Sequence, residues 1–403
     1  MFRRLIVALS GAVMLASCMT APTRLAQPMP LNVENARCSN GMVAIDTDFP
    51  AGALASCAVD QSGHVKIVLS PEDAPPINCS AWYAFRVQAS AKQQVKIDLN
   101  YTECGHRYWP KVSSDGKVWT RLGESQVKLS EFAGKKMAQL TLAAGTDPIF
   151  VSAQEIIVPA TYDSWLDGLE AKRSIRRSLL GRSAEGRPIE IIRFGNEIAR
   201  EQVVLAGRQH PPEVTGALAM FPFVETLLED NPLAERFRNR FEVIAVPLLN
   251  PDGVVKGHWR HNTGGIDLNR DWGPFTQPET KLMQGVLEKV DRAPHQNLRL
   301  MLDFHSTQRD IFYSIPDELP TDPPLFTRDW LARYQERMTD YEVVRDARHT
   351  IGRPVSKAHV FDTYGVPGVT FEIGDETDRK LIDRIAKQSA IAMMETLLKT
   401  SEK

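Results

Sequence analysis

The chain has 403 residues, of which 43% are hydrophobic and 24% charged, with a formal charge of −2. This is the make-up of a globular protein with room for two ordinary cores, and it excludes a low-complexity or disordered chain. No basic block and no Lys/Arg stripe interleaved with aromatics occurs, so nucleic acid is not the expected partner and a smaller substrate is.

The first residues, MFRRLIVALSGAVMLASC, pass from Arg3 and Arg4 through an apolar stretch too short to span a bilayer into small residues. Residues 1–17 therefore read as a bacterial signal peptide for export. Leu15-Ala16-Ser17-Cys18 resembles a lipobox, which predicts acylation of Cys18 and a mature chain beginning there; cleavage after Ala21, discarding Cys18, is the alternative. Met19 is not aspartate, which by lipoprotein sorting rules favours the outer membrane, with the protein facing the periplasm. Losing residues 1–17 removes two arginines and no acids, leaving a charge of −4. Residues 18–36, with several prolines and no periodicity, read as a lipidated tether.

Over residues 37–158, short alternating runs such as HVKIVLS, YAFRVQAS, QQVKIDLNY and AQLTLAA are separated by Gly, Pro, Asn and Asp clusters, the pattern of an all-β sandwich. Cys38, Cys57, Cys79 and Cys104 all fall in this third of the chain, and an oxidising location predicts two disulfides among three possible connectivities. Local pairing, Cys38 with Cys57 and Cys79 with Cys104, is expected. A four-cysteine zinc site is disfavoured because no closely spaced Cys pair occurs. His64 and His106 stand alone and read as surface residues, so no chemistry is expected of the sandwich.

After VPATYDSWLDGLE the pattern changes to strands alternating with long amphipathic stretches, so residues 160–403 are predicted to form an α/β domain with a mixed, largely parallel sheet flanked by helices. Strands are predicted at 189–195, 202–207, 241–249, 298–304 and 368–374, and helices at 213–229, 278–291, 324–338 and 379–399. The last helix carries an apolar stripe that reads as core. The proline-rich stretch 314–324 reads as a surface loop, with an active-site rim as the alternative.

Ligands of open α/β sheets bind beyond the carboxyl ends of strands, which singles out polar residues that follow apolar runs. His210 follows VVLAG, Asn250-Pro251-Asp252 follows IAVPLL, His305 follows LMLDF, and Glu372 interrupts VTFEIG. A zinc hydrolase needs three imidazole or carboxylate ligands and an open fourth position, and His210, Glu213 and His305 supply such a set. The H-x-x-E spacing works if His210 ends a strand and Glu213 lies in the first turn of a helix opening at Pro212. The water that zinc activates needs a base; Glu372 fits, since a buried glutamate without a role is costly. The oxyanion formed by attack on a carbonyl needs a fixed cation, for which Arg260 and Arg270 are candidates.

The segments GRQHPPE, NPDGV, DLNRDW, DFHST and TFEIGDE, in that order over roughly residues 175–380, resemble the zinc metallocarboxypeptidases of the funnelin family. The nearest resemblance among bacterial proteins is to the cytosolic-carboxypeptidase-like branch, which also carries a β-sandwich before its catalytic domain. The resemblance implies one zinc ion per chain held by His210, Glu213 and His305, with Glu372 activating water and Arg260 polarising the scissile carbonyl. It further implies that Asn269 and Arg270 hold a peptide's terminal carboxylate, as an exopeptidase requires, and that Asp267 orients the first zinc histidine. The family's mobile tyrosine has no counterpart in ARHTIGRPVSKAHVF; Tyr364 is nearest in sequence, and the role stays open. Arg353 and Lys357 fall where the side-chain pocket forms, so an acidic C-terminal residue would be favoured if either points inward. The expectation is a lipid-anchored zinc carboxypeptidase acting on peptides, with cell-wall stem peptides among the candidates. The alternatives are a zinc amidase or deacylase acting on N-acyl amino acids or peptidoglycan amide bonds, and a catalytically silent binding protein.

Overall fold

A computed structural model of the chain describes residues 35–73, 82–132, 134–292, 297–348, 350 and 352–401. The predicted signal peptide, Cys18 and nearly all of the tether lie outside the described residues.

The N-terminal third folds as two packed sheets. One has six strands, ordered Arg37–Ser39, Val43–Asp46, Ala84–Ala89, Ile149–Ser152, Lys111–Ser113 and Thr120–Arg121. The other has five, ordered Ser56–Val59, Val65–Leu69, Gln93–Tyr101, Lys135–Ala144 and Val127–Phe132. Period-two patterning creates the filling between them: Val65, Ile67 and Leu69 are buried while Lys66 faces solvent, and Val95, Ile97 and Leu99 repeat the pattern. Cys38 and Cys57, in different sheets, form a disulfide with 5.9 Å between Cα atoms. Cys104 is also disulfide-bonded, and its expected partner Cys79 lies outside the described residues. His106 is not the surface residue expected: it is wedged against Tyr83 and receives or gives a 2.9 Å bond at Tyr101 Oη, and burial lowers its pKa to about 4. His64 is half-buried and 3.0 Å from Asp98.

The remainder is built on an eight-stranded sheet. Its order is Arg176–Arg182, Pro188–Gly195, Phe241–Val246, Glu201–Gly207, Asn297–Thr307, Gly368–Gly374, Ile311–Ser314 and Arg345–Ala347. The central four strands are parallel to one another, and the strand adjoining them on each side is antiparallel to its neighbour. Glu201–Gly207 is buried along its whole length, as a strand covered on both faces must be. Helices Val214–Leu227, Phe326–Arg337 and Arg379–Leu397 cover one face, joined to it by a core that includes Phe223, Trp330 and Met393. Helix Pro278–Arg292 covers the other face, where Trp272, Met283 and Leu287 pack. The strand predicted at 241–249 stops at Val246 because Pro247 cannot donate to the ladder. Helices Pro159–Lys172, Pro232–Arg240, Pro251–Val255 and Ser356–Tyr364 have no counterpart among the predicted elements, and neither do strands Arg176–Arg182, Ile311–Ser314 and Arg345–Ala347.

The two parts share a core. Tyr162, Val214, Ala217, Leu248, Val254 and Trp259 pack into the same apolar cluster as the sandwich strands. A polar seam adds to it where strand Gly368–Gly374 ends: Arg107 Nε donates to Asp375 at 2.7 Å, the Trp109 amide to Glu376 at 2.9 Å, and Gln154 Nε2 to the Asp375 carbonyl at 3.0 Å. The proline-rich 314–324 stretch runs to the opposite end of the sheet, where Asp322 accepts from Arg299 at 3.1 Å near the start of the Asn297–Thr307 strand.

Candidate active site

The carboxyl ends of the parallel strands open into a cavity of about 330 Å³. Its first wall is the turn after strand Glu201–Gly207. Arg208 adopts a left-handed φ of 53°, costly for a residue with a side chain, and its own guanidinium holds the turn by donating from Nε and Nη2 to the Pro211 carbonyl at 2.9 and 2.8 Å. Asn250 Nδ2 adds a bond to the Gln209 carbonyl at 3.0 Å. The helix was expected to open at the prolines, but it begins at Val214, and Pro211 and Pro212 lie in the turn. The reason is a bond from the Glu213 amide to the His210 carbonyl at 3.3 Å, which closes the turn before the helix starts and leaves Glu213 at the N-cap with its side chain uncommitted to capping. Gly216 then lets the helix sit directly on strand Asn297–Thr307, since a Cβ there would stand 2.6 Å from the His305 carbonyl oxygen. That approach brings Glu213 to His305.

His210, Glu213 and His305 are all buried, and one ligand atom from each lies within 4.8 Å of the others. Glu213 Oε1 is 2.8 Å from His210 Nδ1, and Oε2 is 2.7 Å from His305 Nδ1. Behind the rings, His210 Nε2 is 2.8 Å from Asp267 Oδ1, and His305 Nε2 is 2.9 Å from Asp303 Oδ2, the latter close in distance but poorly angled for a hydrogen bond. Carboxylates behind both Nε2 atoms favour the Nε2–H tautomer, so both Nδ1 lone pairs and the Glu213 carboxylate converge as acceptors on one point. Three buried acceptors facing each other require a cation, and two imidazoles with one carboxylate are a donor set that fits zinc. Without a metal the same groups pair their charges with one another. Burial pushes the Glu213 carboxyl up, yet the charges and bonds of His210 and His305 outweigh it and hold the group well below the usual range. His305, despite burial, is held well above its usual value by Asp303 and Glu213. Asp267 is also held well below the carboxylate range, against burial, by His210, Arg260 and Arg270.

Glu372 stands across from His305 in register on the adjacent parallel strand. Its Oε2 has no hydrogen-bond partner among the described residues. Burial first, and then the charge of Glu213, push its pKa to about 7 against the opposing pull of His305, His210 and Arg260. A carboxylate so placed is poised to take and return a proton near neutrality.

Arg260 is held at Nε by Asp267 at 2.6 Å, while its buried Nη1 has no partner among the described residues and lines the cavity. Asn269 is fixed through Oδ1 by the Ser356 amide at 2.9 Å, and Arg270 is partly exposed, with Nη1 donating to the Asn269 carbonyl at 2.7 Å. Arg353 and Lys357 both line the cavity, Arg353 at the exposed mouth and Lys357 buried, its Nζ donating to the Arg348 carbonyl at 2.5 Å. Burial lowers the pKa of Lys357 to about 8. All nine residues singled out in the sequence as catalytic, metal-binding or substrate-binding therefore meet in this cavity, with Asp267 behind His210.

Several lining or supporting residues were missed. Asp303 was legible in principle: it lies two residues before His305 on the same strand, hence on the same side, within an otherwise apolar run. Tyr364 packs with the core beneath helix Ser356–Tyr364 and does not line the cavity; Tyr313 does, and burial followed by the charge of Glu372 raises its pKa. Arg107 reaches the cavity from the sandwich, an approach that leaves no local sequence signal.

Comparison with known proteins now adds two family matches. Residues 162–359 match the zinc carboxypeptidase family, and residues 45–141 match the cytosolic carboxypeptidase N-terminal domain. Mouse cytosolic carboxypeptidase 6 is 28% identical over 293 residues, covering 66% of this chain and 53% of that one. Zebrafish cytosolic carboxypeptidase 2 is 45% identical over 112 residues, covering 28% of this chain and 16% of that one. The chain thus spans about half or less of the length of such relatives. Among solved structures, a metallo-carboxypeptidase from Burkholderia cenocepacia superposes with a TM-score of 0.74 at 18% identity, covering 89% of this chain and 100% of that one. The fold, sandwich included, is shared with it.

Proposed function

Because the chain carries a zinc carboxypeptidase domain over residues 162–359 and a cytosolic carboxypeptidase N-terminal domain over residues 45–141, we propose that it hydrolyses the C-terminal peptide bond of peptides, with preference for an acidic last residue. The observation that carries the reading is the convergence of His210, Glu213 and His305 on one cation position with Glu372 and the partnerless Arg260 Nη1 facing the same space. Bound zinc would supply Lewis acidity toward water and the scissile carbonyl. The side chains do the rest. Glu372 takes the proton of the attacking water and returns it to the leaving amine. Arg260, pinned at Nε, offers Nη1 to the oxyanion without reorganising. Asn269 and Arg270 receive the terminal carboxylate, which restricts cutting to the last bond.

The preference for acidic ends rests on charge. Arg107, Arg348, Arg353 and Lys357 line the cavity along with Arg260 and Arg270, and among the described residues the acids there are Glu213 and Glu372. Apart from Glu213 and Glu372, every charged group that a side-chain carboxylate meets in this space is a cation. Location at the cell envelope through a lipid on Cys18, and cell-wall stem peptides as substrates, belong to the same proposal and rest on residues 1–18 of the sequence.

The test is a screen for C-terminal residue release from peptides ending in Glu, Asp, Lys, Phe and diaminopimelate, with and without a chelator. Chelator-sensitive release, fastest from acidic ends, is expected. Equal rates on acidic and neutral ends would reject the charge argument, and chelator-insensitive release would reject the metal mechanism. Labelled palmitate should enter the wild-type chain in a bacterial host and fail to enter Cys18→Ser.

A further inference from the structure

The segment that presents Arg260 is gripped by the sandwich. Leaving helix Pro251–Val255, it meets the Ala51 amide, which donates to the Val255 carbonyl at 2.7 Å. Gly257 follows with φ 62°, and a Cβ there would lie 2.7 Å from Ala53 Cβ and 2.8 Å from the Ala51 carbonyl oxygen, so the two backbones touch where only glycine fits. Trp259 is buried in the sandwich core, its ring 6.4 Å from that of Tyr101. At the next residue the contact becomes electrostatic. Glu72, a sandwich residue whose side chain is 8% exposed, accepts from three successive amides: Trp259 at 2.5 Å, Arg260 at 3.0 Å and His261 at 2.6 Å. His261 Nε2 is tied in turn to Asp73 at 2.9 Å.

Three consecutive N–H groups aimed at one point form a concavity that demands an anion, and charge-assisted bonds to a carboxylate fix it strongly. Arg260 is therefore held at both ends, its backbone by Glu72 and its guanidinium by Asp267 at 2.6 Å. We infer that Glu72 is a positioning residue of the active site, through which the β-sandwich sets where Arg260 Nη1 points and so takes part in turnover. The inference rests on the proposed role of Arg260. It gives the sandwich a part in turnover beyond lending Arg107 to the cavity lining.

The experiment is a double-mutant cycle on the zinc-loaded full chain: wild type, Glu72→Gln, Arg260→Ala and the pair, assayed on the best peptide of the screen with zinc content and Tm recorded. If the oxyanion contact forms only in the transition state, Glu72→Gln lowers kcat by about 10- to 100-fold with KM little changed, the scale of loss for a roughly 1 Å misplacement. In the Arg260→Ala background the same change should cost nothing further, because the group it positions is gone. Glu72→Asp, which keeps the charge but withdraws it by a methylene, should fall in the same direction, and it guards against a variant that fails to fold. Wild-type kcat in Glu72→Gln would overturn the inference, as would an undiminished effect in the Arg260→Ala background, which marks a general structural role. A wild-type kcat in Arg260→Ala alone would overturn it by removing Arg260 from the mechanism, while leaving the metal-dependent peptidase reading intact.

Discussion

Replacing Asp303 by asparagine tests whether the carboxylates behind the imidazoles prepare the metal site. Asp303 Oδ2 accepts from Gln209 Nε2 and Ser356 Oγ, both at 2.5 Å, and stands 2.9 Å from His305 Nε2 in a fully buried setting. Asparagine has nearly the same shape, so its amide oxygen can keep the bonds from Gln209 and Ser356, while its NH₂ takes the place of Oδ1, which has no bond among the described residues. What disappears is negative charge. Two charge-assisted bonds become neutral ones, a loss of about 1 kcal/mol each in folding stability. The imidazole of His305 loses its counter-charge and some basicity, which for such outer carboxylates weakens metal binding about 10- to 100-fold, or about 1.4–2.7 kcal/mol. Zinc affinity is read by competition with a chelator of known strength at fixed pH, and urea unfolding of the same samples gives the stability term. Asp303→Ala, which leaves the Gln209 and Ser356 donors unsatisfied, should lose more stability than Asp303→Asn. A folded Asp303→Asn protein that binds zinc within twofold of wild type would refute the argument.

Other expectations can be checked with the same preparations. Glu372→Gln should keep its zinc and lose about 10²–10⁴-fold in kcat, measured by residue release, if the carboxylate acts as proton carrier. Removing zinc should lower Tm, since at a free concentration of 100 Kd the ion stabilises the native state by about 2.7 kcal/mol; an unchanged Tm would mean no native-state site. Gly257→Ala should cost about 2–5 kcal/mol in denaturant unfolding, combining a left-handed φ with overpacking against Ala53 and the Ala51 carbonyl. Lys357, brought by burial to about 8, loses its charge as pH rises through that value, so KM for a peptide ending in Glu should climb by up to about fivefold between pH 8 and 9. In Lys357→Met that limb should vanish.

The parts of the molecule legible in the sequence are those where one physical demand dominates. Strands Glu201–Gly207 and Asn297–Thr307 are buried along nearly their whole length and so carry apolar runs, VVLAG and LMLDF, at whose ends His210 and His305 stand out. Strands Ile311–Ser314 and Arg345–Ala347, the last two at one end of the sheet, are four and three residues long, too short for any period to show, and Tyr313 was missed with the first of them. The turn at Pro211 and Pro212 misled by one step: two prolines suggest a helix start, and the bond from the Glu213 amide to the His210 carbonyl, which delays it, is set by tertiary context. Contacts such as Arg107 with Asp375, 268 residues apart, leave no local trace at all. Lone residues in the sandwich looked inert for the same reason, since the importance of Glu72 lies in what it touches across the interface.

The shared core also has a temporal side. Translation delivers the last sandwich strand, Ile149–Ser152, roughly a hundred residues before Trp259, an interval of about 5–20 s at synthesis rates of about 5–20 residues per second. Until Val214, Ala217, Leu248, Val254 and Trp259 have emerged, one side of the sandwich's apolar interior lacks its cover. The portion of the chain made first is thus completed last, and it stays uncovered until the residues up to Trp259 have reached it.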